Sequence, residues 1–510
     1  MLPRTVPASV PPPASLSPEG RLSGVEERFE RRRRAIGLFL GPVAFALLLA
    51  FPPSALGDGA ARLLSVVAWV LLWWITEAVP LPVTAVLGPA LTVVLGVVPA
   101  KEAFAPFGDP IIFLFLGSFL LAEAMSVHGL DRRLAWEILA IPAASASPRR
   151  VVGTFVALAA LLSMWLSNSA TTAMLYPIAL GTLGTLEPGA ARSSRLARAL
   201  LLACAYGASV GGIGTPVGSP PNLVVIGQLS SLAGIHVGFV PWLLVAFPVM
   251  AAMAVAVALV VGLPLRRVAP QRAADAGAAR PGGTLSAGER SVTAAFLFTV
   301  TLWVAPGLLA LVLGPGHALP ALLSRSLPEG AVAVLGAGLL FVLPAGGGER
   351  RFALTWTEAT RIDWGTLLLF GGGLSLGSAM FRTGLSEVLG HGLVGATGVS
   401  TTVGLTVVFS VFSIFFTEVT SNTAAATMLV PLAIASAQAA GVSPLEPSLG
   451  CALGCSMAFM LPVATPPNAI VYGSGLVPIG VMVRAGLWMN LLACIVVPAG
   501  VLLLVPLVLR

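Results

Sequence analysis

Charge is what this chain has least of: ionisable residues make up 10% of its 510 residues, and a single lysine, Lys101, accompanies the arginines. A water-facing globular surface needs about a quarter to a third of its residues charged, so a soluble protein is excluded. Cysteine is scarce too. All four (Cys204, Cys451, Cys455, Cys494) lie in apolar segments without disulfide or zinc spacing, and read as small buried hydrophobes. The four histidines (His128, His236, His317, His391) sit at span ends or in loops. No nucleophile–base pair and no metal-spaced His, Cys or Asp set is visible, which leaves an intramembrane enzyme unsupported.

What is present is hydrophobic: 57% of residues, with a mean hydropathy of +0.95. Apolar runs of about 18 residues or more recur along the chain, as in a polytopic helical membrane protein. Many of the 56 glycines and 41 prolines fall inside these runs, which membrane helices tolerate where they are kinked, closely packed or broken. The net charge of +7 does not indicate a nucleic-acid partner, because the arginines cluster in short connectors between apolar segments. That distribution sets orientation in the bilayer.

With the arginine-flanked start inside, residues 1–34 form a disordered cytoplasmic tail and 35–61 the first span and outer loop. A first repeat, 62–265, contains spans at 62–79, 82–100 and 110–128, a surface stretch at 131–147 and a re-entrant hairpin at 151–186. A broken span at 199–229 and a span at 239–264 complete it. Residues 266–290 make a cytoplasmic linker. A second repeat, 291–510, has spans at 291–312, 329–345 and 365–381, a surface stretch at 383–393, and a hairpin at 400–438. It ends with a broken span at 447–475 and a last span at 485–508. The expected fold is therefore all-α, with about 11 transmembrane helices plus two re-entrant hairpins. The C-terminus lies outside. All but five of the 28 basic residues (Arg62, Lys101, Arg325, Arg382, Arg510) then face the cytoplasm.

Two tripeptides carry the functional signal: Ser167-Asn168-Ser169 and Ser421-Asn422-Thr423. Asp109 with Phe115-Leu116-Gly117-Ser118 parallels Asp363 with Phe370-Gly371-Gly372-Gly373, and Gly218-Ser219-Pro220-Pro221-Asn222 parallels Ala464-Thr465-Pro466-Pro467-Asn468. The matches keep their order while the flanking charge switches, which reads as an inverted-topology repeat of the kind that builds secondary transporters.

The apolar arms leading to the tripeptides are too short to cross a hydrocarbon core ~30 Å thick, so the tips end inside the membrane. Backbone there must line a polar cavity. Ser, Asn and Thr at such a turn favour capping of the following helix, whose N-terminal N–H groups and dipole attract an anion. Two opposed tips can each hold one end of a doubly charged anion. The Pro-Pro-Asn breaks free backbone carbonyls, which with the hydroxyls of Ser219 and Thr465 suit a hard cation. No Lys, Arg or His lies near either tip or break in the sequence. An unpaired dianion in a low-dielectric site is costly, so the compensating charge is expected to arrive as sodium.

The blander readings stand beside these. A lone Ser-Asn-Thr glues helices together, and a lone Pro-Pro-Asn makes a kink. Glu77, Glu123 and Glu418 are either proton-relay groups or structural hydrogen-bonding acids. Trp73, Trp74 and Trp136 read as interfacial anchors.

Four stretches together resemble the divalent anion/sodium symporters, a family of dicarboxylate, citrate and sulfate carriers. They are Met164–Thr171, Val217–Asn222, Thr417–Ala424 and Met460–Ala469. The resemblance spans roughly 35–508. It implies a homodimer in the cytoplasmic membrane, with a fixed scaffold and a transport domain moving as an elevator. It also implies a first sodium site of Ser163, Ser167, Asn168 and Gly218, and a second of Thr417, Thr420, Asn422 and Ala464. Substrate carboxylates would be held by Asn168, Ser169 and Ser219, and by Ser421, Asn422, Thr423, Thr465 and Pro466. Ser169 stands where the family usually has Thr, keeping the hydroxyl. The implied activity is sodium-coupled symport of C4-dicarboxylates such as succinate, malate or fumarate. The alternatives are a sodium-independent exchanger, for which the family places a basic side chain near these sites, or a sulfate or tricarboxylate carrier.

Overall fold

A computed structural model of the chain describes residues 24–139, 147–186, 194–267, 284–314, 317–346 and 351–509. Among the described residues the structure is helical, apart from one isolated bridge between Pro344 and Phe352. Eight of these helices are long and apolar enough to cross a membrane, or nine when Leu385–Thr397 and Thr402–Phe416, bent by 96°, count as one span. Several expected spans are shorter. The helix Leu81–Val94 stops because Gly96 adopts φ +66° and Pro99 opens a new helix at Ala100. Glu329–Leu340 likewise has only 12 residues.

The first helix runs Gly24–Ala50, so residues 24–34 are not the disordered tail expected. An ion pair one turn apart, Glu30 to Arg33 at 2.9 Å, supports this added length. Residues 1–23 lie outside the described residues, as do 140–146 of the surface stretch and 268–283 of the linker. Inside the expected linker a capping box, Ser286 with Glu289, already starts the helix Ala287–Leu313, ahead of the expected 291. The last helix, Ile479–Val508, begins before the expected 485.

Residues paired in the sequence comparison cap helices in both parts of the chain. Asp109 accepts from the Ile111 amide and Asp363 from the Thr366 amide. Ser147 caps Pro148–Ser163, and Thr401 caps Thr402–Phe416. Lipid gives helices no hydrophobic reason to associate, so close backbone approach through small residues does that work. Gly211 shows it: a Cβ there would lie 2.4 Å from the Cα of Ala160. This contact seats Arg195–Gly211 on Pro148–Ser163. The two parts also interleave. Asn168–Leu186 packs on Pro466–Gly473, and Pro220–Ala233 packs on Asn422–Ala439.

Trp73 and Trp74 are corrected by the structure. Both are buried, with Trp73 edge-on to Trp69 and the Trp74 indole N–H directed at the Leu81 carbonyl at 3.4 Å, so they are packing residues.

Candidate functional site: two tips and two breaks

The helix Pro148–Ser163 ends at a turn, Met164–Ser167, from which Asn168–Leu186 departs. The helix Thr402–Phe416 ends at a second turn, Thr417–Ser421, before Asn422–Ala439. These are the first and second tips. Each faces a helix break: Gly212–Ser219 in the first part, where a 3-10 turn follows Gly211, and Ser456–Thr465 in the second.

The two tips are built alike. The Ser163 hydroxyl donates to Asn168 Oδ1 at 2.6 Å, and the Thr417 hydroxyl lies 2.7 Å from Asn422 Oδ1 and 2.9 Å from the Cys455 carbonyl. Ser167 caps its helix by accepting from the Ala170 amide at 3.2 Å, whereas Ser421 makes no side-chain cap. The breaks are also alike. The Asn222 amide group donates to the carbonyls of Gly212 (2.9 Å) and Thr215 (2.8 Å), and Asn468 does the same for Ala458 (3.2 Å) and Leu461 (3.0 Å). Each Pro-Pro-Asn thus ends in an amide that holds the break's freed carbonyls in place. The Thr215 hydroxyl donates to the Met164 carbonyl, tying the first break to the first tip.

Oxygen atoms crowd the first break. A Cβ built on Gly218 would lie 2.6 Å from the Gly212 carbonyl oxygen, 2.9 Å from that of Ser163 and 3.0 Å from that of Met164. A Cβ on Gly212 would lie 2.5 Å from Asn168 Oδ1. Only glycine fits among these oxygens, and a convergence of carbonyl, amide and hydroxyl oxygens is the donor set of a hard cation. The second tip and break offer the Thr417 hydroxyl, Asn422 Oδ1, and a Thr420 hydroxyl that is buried without a partner among the described residues. Ala464 and Ala458 stand there where the first break has Gly218 and Gly212.

Ser219 and Thr465 are buried, and the Ser219 hydroxyl sits 3.3 Å from that of Ser456, joining the two breaks. Thr465 accepts from the Asn468 amide at 3.4 Å, while Pro466 is exposed at the start of its helix. Among the described residues, the hydroxyls of Ser169, Ser421 and Thr423 make no hydrogen bond. They remain uncommitted at the N-termini of helices Asn168–Leu186 and Asn422–Ala439. Such an arrangement can take an anion.

Three features of this region go beyond the sequence reading, and for Glu418 the structure decides for the hydrogen-bonding alternative. Asn222 and Asn468 act as carbonyl clamps. Glu418, only 4% exposed, accepts from the backbone amides of Phe459 (2.7 Å), Met460 (2.9 Å) and Leu461 (3.2 Å) and from the side chain of Asn490 (2.8 Å). It is a hydrogen-bonding acid of the second break. The third feature is a correction: a basic side chain does approach a tip. Arg33 reaches the Val419 carbonyl at 3.4 Å, from 386 positions away. Its charge is met by Glu30 and by Glu77 at 3.5 Å. Glu77 ends the helix Asp58–Thr76 with φ +47° and is an ion-pair partner of Arg33 and Arg34. Glu123 lies in the field of Arg361 and Glu358, in the connector before Trp364–Arg382.

An all-helical protein with this many apolar spans, whose paired helix breaks meet in its interior, is a polytopic membrane transporter. Residues 33–508 match the family described as the sodium:sulfate symporter transmembrane region, and the chain belongs to that family. It is a transporter and not an enzyme. It is 34% identical over 491 residues to a protein of Staphylococcus saprophyticus named sodium-dependent dicarboxylate transporter SdcS, covering 92% of this chain and 91% of the relative. The SdcS of Staphylococcus aureus strain USA300 is 34% identical over 495 residues, covering 93% and 92%. Among solved structures, the YdaH transporter of Alcanivorax borkumensis has a similar fold, with a TM-score of 0.50, 17% identity and coverage of 78% of this chain and 85% of that one.

Proposed function

We propose that this chain is a sodium-coupled symporter of C4-dicarboxylates in the cytoplasmic membrane. The observation that carries the reading is the oxygen-lined cradle at Gly218 beside Asn168, matched by the Thr417–Asn422 pair at the second tip. Sodium is cargo here. Ser163, Ser167, Asn168 and Gly218 would hold one ion, and Thr417, Thr420, Asn422 and Ala464 another. The free hydroxyls of Ser169, Ser421 and Thr423, with Asn168, Asn422, Ser219, Thr465 and Pro466, would hold the two carboxylates between the ions. The names of the SdcS relatives support this choice of ion and substrate.

The same reading takes the two tips as re-entrant hairpins entering from opposite sides, in an inverted repeat of about eleven spans. The short helices Leu81–Val94 and Glu329–Leu340 count as spans in it. The N-terminus is cytoplasmic, the C-terminus is outside, and the hairpin-bearing part moves as an elevator within a homodimer.

Arg33 beside the second tip is the one observation favouring a sodium-independent exchanger, but Glu30 and Glu77 already balance it. Uptake of labelled succinate by the reconstituted protein, with and without an inward sodium gradient and competed by sulfate and citrate, tests the proposal. Uptake that needs sodium and yields only weakly to sulfate supports it. Equal counterflow in sodium-free buffer would assign an exchanger.

A further inference from the structure

We propose that Glu418 is a positioning residue for the sodium ion at the second tip, acting through the backbone of the second break. This rests on the sodium-coupled reading above. Glu418 follows Thr417, whose hydroxyl touches both Asn422 Oδ1 and the Cys455 carbonyl. Its own carboxylate takes the three consecutive amides of Phe459, Met460 and Leu461. The side chain therefore clamps the tip to the unwound strand that leads to Ala464 and Thr465. Both pieces contribute to the proposed ion site.

The clamp continues on both sides. Asn490, on the last helix, adds a fourth donor to the carboxylate. Tyr206, buried on Arg195–Gly211, donates toward the Phe459 carbonyl at 2.8 Å and lies 3.1 Å from that of Met482. The N–H and C=O of Phe459 are thus both taken, one by each part of the chain. Every group facing the carboxylate oxygens is a donor, which suits an acceptor-only carboxylate and no other side chain of this length. Among the described residues the first break has no carboxylate clamp: Met164 stands at the position matching Glu418, and the Trp242 indole N–H holds the Ile213 carbonyl there, while the Asn222 and Asn468 amides are common to both breaks. The two ion sites are consequently supported by different means, and loss of Glu418 strikes only one.

Glu418→Gln replaces one acceptor oxygen with a donor amide facing backbone N–H groups. Buried donors left without an acceptor then pull the strand away from the tip. The test is a sodium titration of purified protein, followed by its thermal unfolding midpoint without substrate. It is paired with the sodium dependence of labelled succinate uptake in proteoliposomes. Glu418→Gln is expected to raise the half-saturating sodium concentration about tenfold in both assays, while succinate KM at saturating sodium stays within about twofold. Tyr206→Phe and Asn490→Ala shift sodium dependence the same way by less, and decide the matter if Glu418→Gln does not fold. An unchanged sodium midpoint with lowered Tm or kcat overturns the inference, since a merely structural role gives that result. So does a shift confined to succinate KM. Wild-type protein indifferent to sodium in both assays would refute the symport reading itself, and this inference with it.

Discussion

Gly218→Ala probes the first ion cradle with a single methyl group. The added carbon would sit 2.6, 2.9 and 3.0 Å from the carbonyl oxygens of Gly212, Ser163 and Met164, where no methyl fits unless backbone moves. All three neighbours are main-chain atoms, so no flexible side chain can give way. Overpacking of this kind costs about 1–3 kcal/mol, which as lost ion affinity is about 5- to 150-fold. Sodium titrations of succinate uptake and of thermal unfolding should both move to higher concentration by a factor in that range. The second part of the chain supplies an internal comparison, because Ala464 already bears a methyl at the matching position. Ala464→Gly should therefore change sodium affinity far less than Gly218→Ala. A Gly218→Ala protein with wild-type sodium affinity and full uptake would show that the converging carbonyls do not hold the ion.

Other substitutions separate the site from its supports. Asn168→Ala and Asn422→Ala should each abolish uptake while leaving the detergent-purified protein monodisperse and cooperatively folded; normal rates in either would refute its assignment. Asn222→Ala and Asn468→Ala each remove an amide that holds two carbonyls of a break, and should lower unfolding stability by about 1–3 kcal/mol in denaturant or thermal assays. Away from the tips, partial burial tends to raise the Glu358 carboxyl pKa, but the Thr355 amide and hydroxyl and the Arg351 guanidinium outweigh it and hold the value below the usual carboxylate range. A lowered folded-state pKa gives stability that is present above the unfolded value and lost as pH falls through the folded one. Glu358→Gln should therefore flatten part of the acid limb of a Tm-versus-pH curve, and an unchanged limb would refute that contribution.

The helical membrane class and the family were legible because both rest on local signals: apolar run length, the scarcity of charge, and four short motifs in order. Helix boundaries were less so. Gly96 ends a span at Val94 through its left-handed backbone, and the Glu30–Arg33 pair extends the first helix into a segment that composition alone marks as a tail. At the site, the polar tripeptides and Pro-Pro-Asn could be found by eye, since polar residues in apolar runs stand out. Their partners could not. Arg33 meets Val419 across 386 positions, and Tyr206 meets Phe459 across 253, so only folding brings them together. Glu418 was visible as an acid near Asn422, but its role depends on three amides 41 to 43 positions away, in a strand whose unwinding the sequence marks only by its prolines.

Equilibrium binding of labelled succinate to the purified protein, measured in saturating sodium and again with potassium in its place, addresses the joint site most directly. Saturable binding should appear only in sodium and disappear in both Asn168→Ala and Asn422→Ala. Equal binding in potassium, or binding that survives both substitutions, would contradict a dianion held between the two tips by uncharged groups and co-bound sodium.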